Sequence, residues 1–276
     1  MARMFGFIGN RADLGAMVLE AHAAVLRVKR APEEPLGWGV GFYQAGEVLL
    51  RRRPLDDRAV IDLAEAAADV RTDVLLGHVR KASVGALRTE NTHPFRYRSW
   101  LWAETGTIGG FDRLRERLLE ALPEFLRRNV RGETDSELSF YLFLSFLHDA
   151  GELEHPHVGY DAIAAALRAS VALVDRLSAE EGMSQNAGNV LVTNGERMVA
   201  LHRSGTMALR VFKGRYDVES LSGEDGVRRA RIPSIDSTHC TMIASDLSAV
   251  PEGFRVVEPK QLVSLTRSED PVIEAL

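Results

Sequence analysis

A chain of 276 residues, 45% hydrophobic and 26% charged, is long enough to bury one large core or two small ones and has the composition of an ordinary globular protein. Its formal net charge of −5 gives no general attraction to nucleic acid or an anionic membrane, and its single cysteine, Cys240, excludes an intrachain disulfide and a cysteine-based zinc site. No apolar stretch approaches the roughly 18 residues of a membrane span and the N-terminal run lacks the apolar core of a secretory leader, so a cytoplasmic location is the expectation.

Met4 to Ile8 reads as a strand closed by a Gly9-Asn10 turn. A helix rich in Ala and Leu is predicted from about Leu14 to Val28, halted by Ala31-Pro32. Gly37 to Tyr43 is a glycine-laced strand, which the turn Ala45-Gly46 joins to Val48-Leu49-Leu50 as a hairpin. The basic run Arg51-Arg52-Arg53 reads as a solvated strand end. A helix around Val60–Val70 and a strand over Val74–Val79 follow, and the polar stretch from Arg80 to Arg98 reads as functional loops. Trp100–Ala103 is a short strand. Helices are predicted at about Phe111–Leu122 and Ser136–Asp149, with Pro123 interrupting the run between them. The spacing of Ile163, Leu167, Val171 and Val174 predicts a third.

The last third is β-rich: Val190–Val192, Met198–Leu201, Leu209–Phe212, Thr241–Ala244 and Leu262–Leu265, with Asn194-Gly195 as a hairpin turn between the first two. Cys240 falls in one of these runs and reads as a small core hydrophobe. Strands, then helices, then strands imply a layered α+β fold in which sheets pack face to face and helices cover the outside.

Several segments, in order, resemble the class II (N-terminal-nucleophile) glutamine amidotransferases, and most closely the stand-alone group that includes the ergothioneine-pathway amidohydrolase. They are Met1-Ala2-Arg3-Met4-Phe5-Gly6, Gly37-Trp38-Gly39-Val40-Gly41, Gly77-His78-Val79-Arg80-Lys81-Ala82-Ser83, Asn91-Thr92-His93-Pro94-Phe95, Gly106-Thr107-Ile108, Gly132-Glu133-Thr134-Asp135-Ser136-Glu137, Asn189–Glu196 and Ile243-Ala244-Ser245-Asp246. The resemblance runs from residue 1 to about 265 and implies a four-layer αββα sandwich, with residues 1–276 forming a single amidotransferase-like domain.

In that family a cysteine thiolate attacks the glutamine side-chain amide, the N-terminal amine serves as base, and preorganised donors hold the developing oxyanion. The resemblance puts Ala2 at the nucleophile position, where alanine has no group that can attack. It puts Glu104-Thr105-Gly106 on the family's His-Asn-Gly, so Gly106 keeps the backbone oxyanion donor while Thr105 replaces the asparagine amide. The Thr105 hydroxyl is shorter and can be taken by a backbone carbonyl. Glu104 either opposes the oxyanion by pointing inward or faces solvent at a strand end. Arg80 matches the arginine that holds the glutamine carboxylate, for which a guanidinium fork is suited; otherwise it is structural. Asp135 matches the acid that holds the substrate ammonium. Thr134 and Glu137 have the spacing of a capping box, in which Asp135 would only decorate a helix start. His78 and His93 read as neutral, hydrogen-bonded structural histidines.

The resemblance thus implies a glutaminase-like fold without glutaminase chemistry, whose ligands would be glutamine, a γ-glutamyl compound or a protein partner. Two alternatives stay open: an active amidotransferase whose cysteine has been exchanged for Ala2, and an interaction module with a vestigial pocket. No cofactor and no metal is implied. Any ammonia-accepting synthase would be a separate polypeptide.

Overall fold

A computed structural model describes residues 2–31, 34–81, 83–183, 188–221 and 234–276. Among the described residues, fifteen strands build two large antiparallel sheets and one small one. The first third holds β1 (Arg3–Gly9), β2 (Arg27–Lys29), β3 (Leu36–Gln44), β4 (Glu47–Asp56), β5 (Val60–Asp62), β6 (Val74–Lys81), β7 (Phe95–Tyr97) and β8 (Trp100–Thr105). After the helices come β9 (Asn189–Thr193), β10 (Met198–His202), β11 (Met207–Lys213), β12 (His239–Ser245), β13 (Arg255–Val257), β14 (Gln261–Leu265) and β15 (Val272–Ala275). The first sheet runs β13-β11-β12-β1-β6-β3-β4, the second β15-β14-β10-β9-β8-β7, and β2 pairs with β5.

Strand alternation sorts the side chains into layers. On β1, Met4 and Ile8 join Leu76, Leu101, Ala103, Met198 and Ile243 between the sheets. Phe5 and Phe7 face the other way, under α1 (Leu14–Ala21), α2 (Ala23–Leu26) and α3 (Leu63–Ala66). On β8, Trp100 and Trp102 pack outward against α4 (Phe111–Glu120), α6 (Asp135–Asp149) and α7 (Tyr160–Glu180), while α5 (Glu124–Arg127) closes the same layer beyond Pro123. The result is the αββα sandwich. Helix α6 is buried at twelve of its fifteen positions, which explains why its sequence is apolar on nearly every side.

The structure departs from the sequence reading first in the two helices that flank the β2–β5 pair. The first helix breaks at His22 and ends at Leu26, and Val28 lies in β2 against Ile61 of β5. The helix expected over Val60–Val70 shrinks to Leu63–Ala66, because Val60 and Ile61 pair as strand and Asp62 caps the helix through the Ala64 and Glu65 N–H groups. The Pro32 of the expected helix stop lies outside the described residues. Second, β4 is a ten-residue edge strand that carries Arg51–Arg53. Arg51 pairs with Asp69 at 2.5 Å, but Arg52 is half-buried and donates to the Thr92 carbonyl at 3.2 Å. Third, the stretch Arg80–Arg98 contains the short strand β7. No described helix is long and apolar enough to cross a membrane.

Candidate functional site

The site forms where the N-terminal end of β1 meets the C-terminal ends of β6 and β8. Arg3 pairs with Val79 and Met4 with His78, so the register carried one residue further sets Ala2 across from Arg80. Thr105 ends β8 on the facing sheet, and Asp135 opens α6 beneath it. One cleft is lined by Ala2, His78, Arg80, His93, Thr105, Gly106 and Asp135, with Lys81, Ser83, Val84, Glu104, Thr134 and Ser136 completing its wall. All five positions that the resemblance selected therefore come together. Its enclosed volume is about 40 Å³, room for a few waters. At the rim the Ser83 and Thr107 hydroxyls share a hydrogen bond of 2.9 Å.

The glycine strand makes this arrangement sterically possible. A Cβ on Gly39 would stand 2.1 Å from the His93 carbonyl oxygen, so only glycine lets the 91–95 segment lie across β3 and set His93 beside His78. Gly106 has φ of +124°, a conformation that side chains disfavour, which fixes glycine immediately after Thr105.

Arg80 is buried, and its guanidinium donates to the carbonyls of Ala86 at 3.2 Å, Val84 at 2.7 Å and Gly85 at 3.0 Å. It shapes the loop after β6 while lining the cleft. Asn91, quoted above only as part of a motif, braces that loop. Its amide nitrogen donates to the Ala86 carbonyl at 2.9 Å and its oxygen accepts the Glu133 N–H at 2.8 Å. A buried asparagine in a polar stretch carries no periodic signal by which its role could be read.

Asp135 accepts the Ile108 N–H at 2.7 Å and the Ser136 N–H at 3.0 Å. Burial raises its pKa, opposed by those N–H bonds and by Arg80. The acid thus ties the segment after Gly106 to the start of α6. Only half of the capping box forms: Thr134 accepts the Glu137 N–H at 3.2 Å, but Glu137 turns to the N–H groups of Arg131 and Gly132, at 3.0 and 2.6 Å.

Three further expectations change. Among the described residues, Thr105 gives its hydroxyl to no backbone carbonyl; the atom is buried without a hydrogen-bond partner there. Glu104 points neither into the cleft floor nor to open solvent. Alternation along β8 turns it outward with Trp102, whose indole N–H donates to it at 3.3 Å, into a space between the sheet and helices α6 and α7. Burial, then the charge of Asp135, push its carboxyl up to about 8. His78 and His93 are neutral, but among the described residues neither ring makes a hydrogen bond of good geometry. Their ring centroids lie 4.2 Å apart with the planes tilted by 38°, and among the described residues no partner meets any of the four buried ring nitrogens in hydrogen-bonding geometry. Burial lowers His78 to about 3, opposed by the nearby Glu104 backbone and aided by the charge of Arg80. Burial and the charges of Arg80 and Arg52 also hold His93 well below its ordinary value.

Cys240 cannot stand in for the missing thiol. It pairs with Gly9, at the far end of β1 from Ala2, roughly 20 Å away at the usual strand rise. It is fully buried, and burial pushes its thiol up to about 12. Among the described residues, no group of three or more His, Cys, Asp or Glu side chains is placed to hold a metal.

Comparison with known proteins agrees with this architecture. The family described as class II glutamine amidotransferases matches residues 1–269. A probable glutamine amidotransferase of Saccharomyces cerevisiae, DUG3, is 26% identical over 265 residues, covering 86% of this chain and 73% of its own. Among solved structures, a glutamine aminotransferase class-II domain protein of Silicibacter pomeroyi aligns over 99% of this chain and 98% of its own, with a TM-score of 0.59 at 18% identity. Glutamine phosphoribosylpyrophosphate amidotransferase of B. subtilis aligns over 99% of this chain and 49% of its own, with a TM-score of 0.56 at 15% identity. At these identities the two structures speak for the fold, and the match over residues 1–269 speaks for the family: the chain belongs to the class II glutamine amidotransferases.

Proposed function

We propose that this chain has lost glutamine hydrolysis and keeps a cleft for glutamine or a γ-glutamyl compound. The observation that carries the reading is the cleft itself, in which Ala2 stands opposite Arg80 and beside Asp135 while the one thiol of the chain lies at the other end of β1. A glutaminase needs an activated nucleophile and an oxyanion hole. Ala2 removes the first, and Thr105 weakens the second. Loss of one oxyanion donor costs about 100–1,000-fold in a protease that still has its nucleophile. Exchange of a single cysteine in an otherwise intact enzyme would leave the asparagine at 105 in place, so two changes at one site argue for divergence.

Arg80 and Asp135 supply the opposite charges that an α-amino acid needs at its head. Binding requires the 83–86 and 106–108 segments to separate, parting Ser83 from Thr107 and releasing part of Arg80 from its carbonyls. That capture of Arg80 also favours a second reading, in which the cleft is vestigial and the chain acts through protein contacts. Calorimetric titration with glutamine separates the two. Saturable binding that Arg80→Ala and Asp135→Asn each weaken at least tenfold is the expected result. Absence of binding in the unmodified chain favours the vestigial cleft.

A further inference from the structure

The resemblance supplied candidates for both ends of the ligand, but at the amide end its thiol and asparagine are gone. Five other polar atoms occupy that region. Among the described residues, His78 Nδ1 and Nε2, His93 Nδ1 and Nε2 and Thr105 Oγ1 are all buried and meet no atom in hydrogen-bonding geometry, and all three residues line the cleft. Native structures seldom leave even one such atom unmet, and a cluster facing a cavity marks where water or a ligand completes the bonding.

The positions suit a particular ligand end. Arg80 and His78 are two residues apart on β6 and project from the same face, about 7 Å apart along the strand. That is near the span from the head of a five-carbon amino acid to its side-chain amide. A neutral imidazole offers one N–H and one lone pair, and the threonine hydroxyl offers both roles. Together they present donors and acceptors without charge, which complements a carboxamide. A carboxylate only accepts and leaves the ring lone pairs unmet, and an alkyl end leaves every atom unmet.

Resting on the reading of the cleft as an amino-acid site, we infer that His78, His93 and Thr105 form a subsite that selects an uncharged amide at the end of the ligand, in place of the missing nucleophile and asparagine. None of them is assigned a step in bond cleavage.

The test is calorimetric titration of the full chain with glutamine and with norvaline, which has the same head and no amide. The unmodified protein should bind glutamine at least about tenfold more tightly, the worth of one or two good hydrogen bonds. His78→Phe and His93→Phe should each collapse that preference while norvaline affinity holds, a change that a purely structural role would not produce. Thr105→Val, nearly isosteric, carries the same test should a histidine variant fail to fold. Equal binding of the two amino acids by the unmodified chain, or a preference untouched by all three substitutions, overturns the subsite alone. Binding of neither compound overturns the amino-acid site and the subsite with it.

Discussion

Glu104 should make the protein lose stability as pH rises through neutrality. Its carboxyl sits between β8 and the helices, near Ile108, Val174, Val190 and Leu201, with Trp102 as a hydrogen-bond donor and the Arg203–Asp175 ion pair at 2.6 Å nearby. Burial and the charge of Asp135 raise it from 4.5 to about 8. Below pH 4.5 the group is neutral in both folded and unfolded chains and costs nothing. Between 4.5 and about 8 the folded chain holds a proton that the unfolded chain has released, so stability falls as pH rises; above that it levels off. The displacement bounds the penalty at about 5 kcal/mol, and the side chain's partial contact with water lowers it to roughly 2–3 kcal/mol. Glu104→Gln keeps the shape and removes the titration. In thermal unfolding from pH 5 to 9, the variant should gain several degrees over the parent at the alkaline end, at about 2–4 °C per kcal/mol, and little at pH 5. Parallel loss of Tm in both proteins, with no gain for the variant at pH 9, would refute the placement of this carboxyl.

Gly39→Ala should destabilise the fold by about 2 kcal/mol or more and abolish glutamine binding, because the obstacle is the His93 backbone oxygen rather than a movable side chain; denaturant unfolding and calorimetry read the two effects. Asp56 is fully buried; burial alone would raise its pKa, but hydrogen bonds from Arg58 and Trp38 hold it well below the usual carboxylate range. Its stabilisation is therefore present above pH 4 and lost as pH falls further, and Asp56→Asn should be less stable at pH 7 and show a shallower acid transition by circular dichroism. Thr134→Ala should cost about 1 kcal/mol through loss of the bond to the Glu137 N–H, seen as a lower denaturation midpoint.

The sandwich was legible where burial on both faces or turn chemistry leaves a strong mark. Met4–Ile8, Gly37–Tyr43 and the Asn194-Gly195 hairpin appear where the pattern puts them. The β2–β5 pair was not legible, because Val28 and Ile61 sit beside helix-compatible Leu and Ala runs and only their mutual pairing decides for strand. The short edge strands β13 and β15 carry too few residues for a period to show. At the site, the fragments marking Ala2, Arg80, Thr105, Gly106 and Asp135 sufficed to bring five distant positions into one cleft. Which way Glu104 turns, the ring contact of His78 with His93 and the capture of Arg80 by its own loop depend on register and loop path, which no local pattern encodes.

Ammonia release from glutamine tests most directly the proposal that Ala2 and Thr105 leave this cleft without glutaminase activity. The unmodified chain should release ammonia no faster than the uncatalysed background, while Ala2→Cys combined with Thr105→Asn, both Met1-processed, restores the family's nucleophile and oxyanion donor to the same cleft and should bring measurable turnover. Hydrolysis by the unmodified chain that survives purification to homogeneity and disappears with Arg80→Ala would contradict the account.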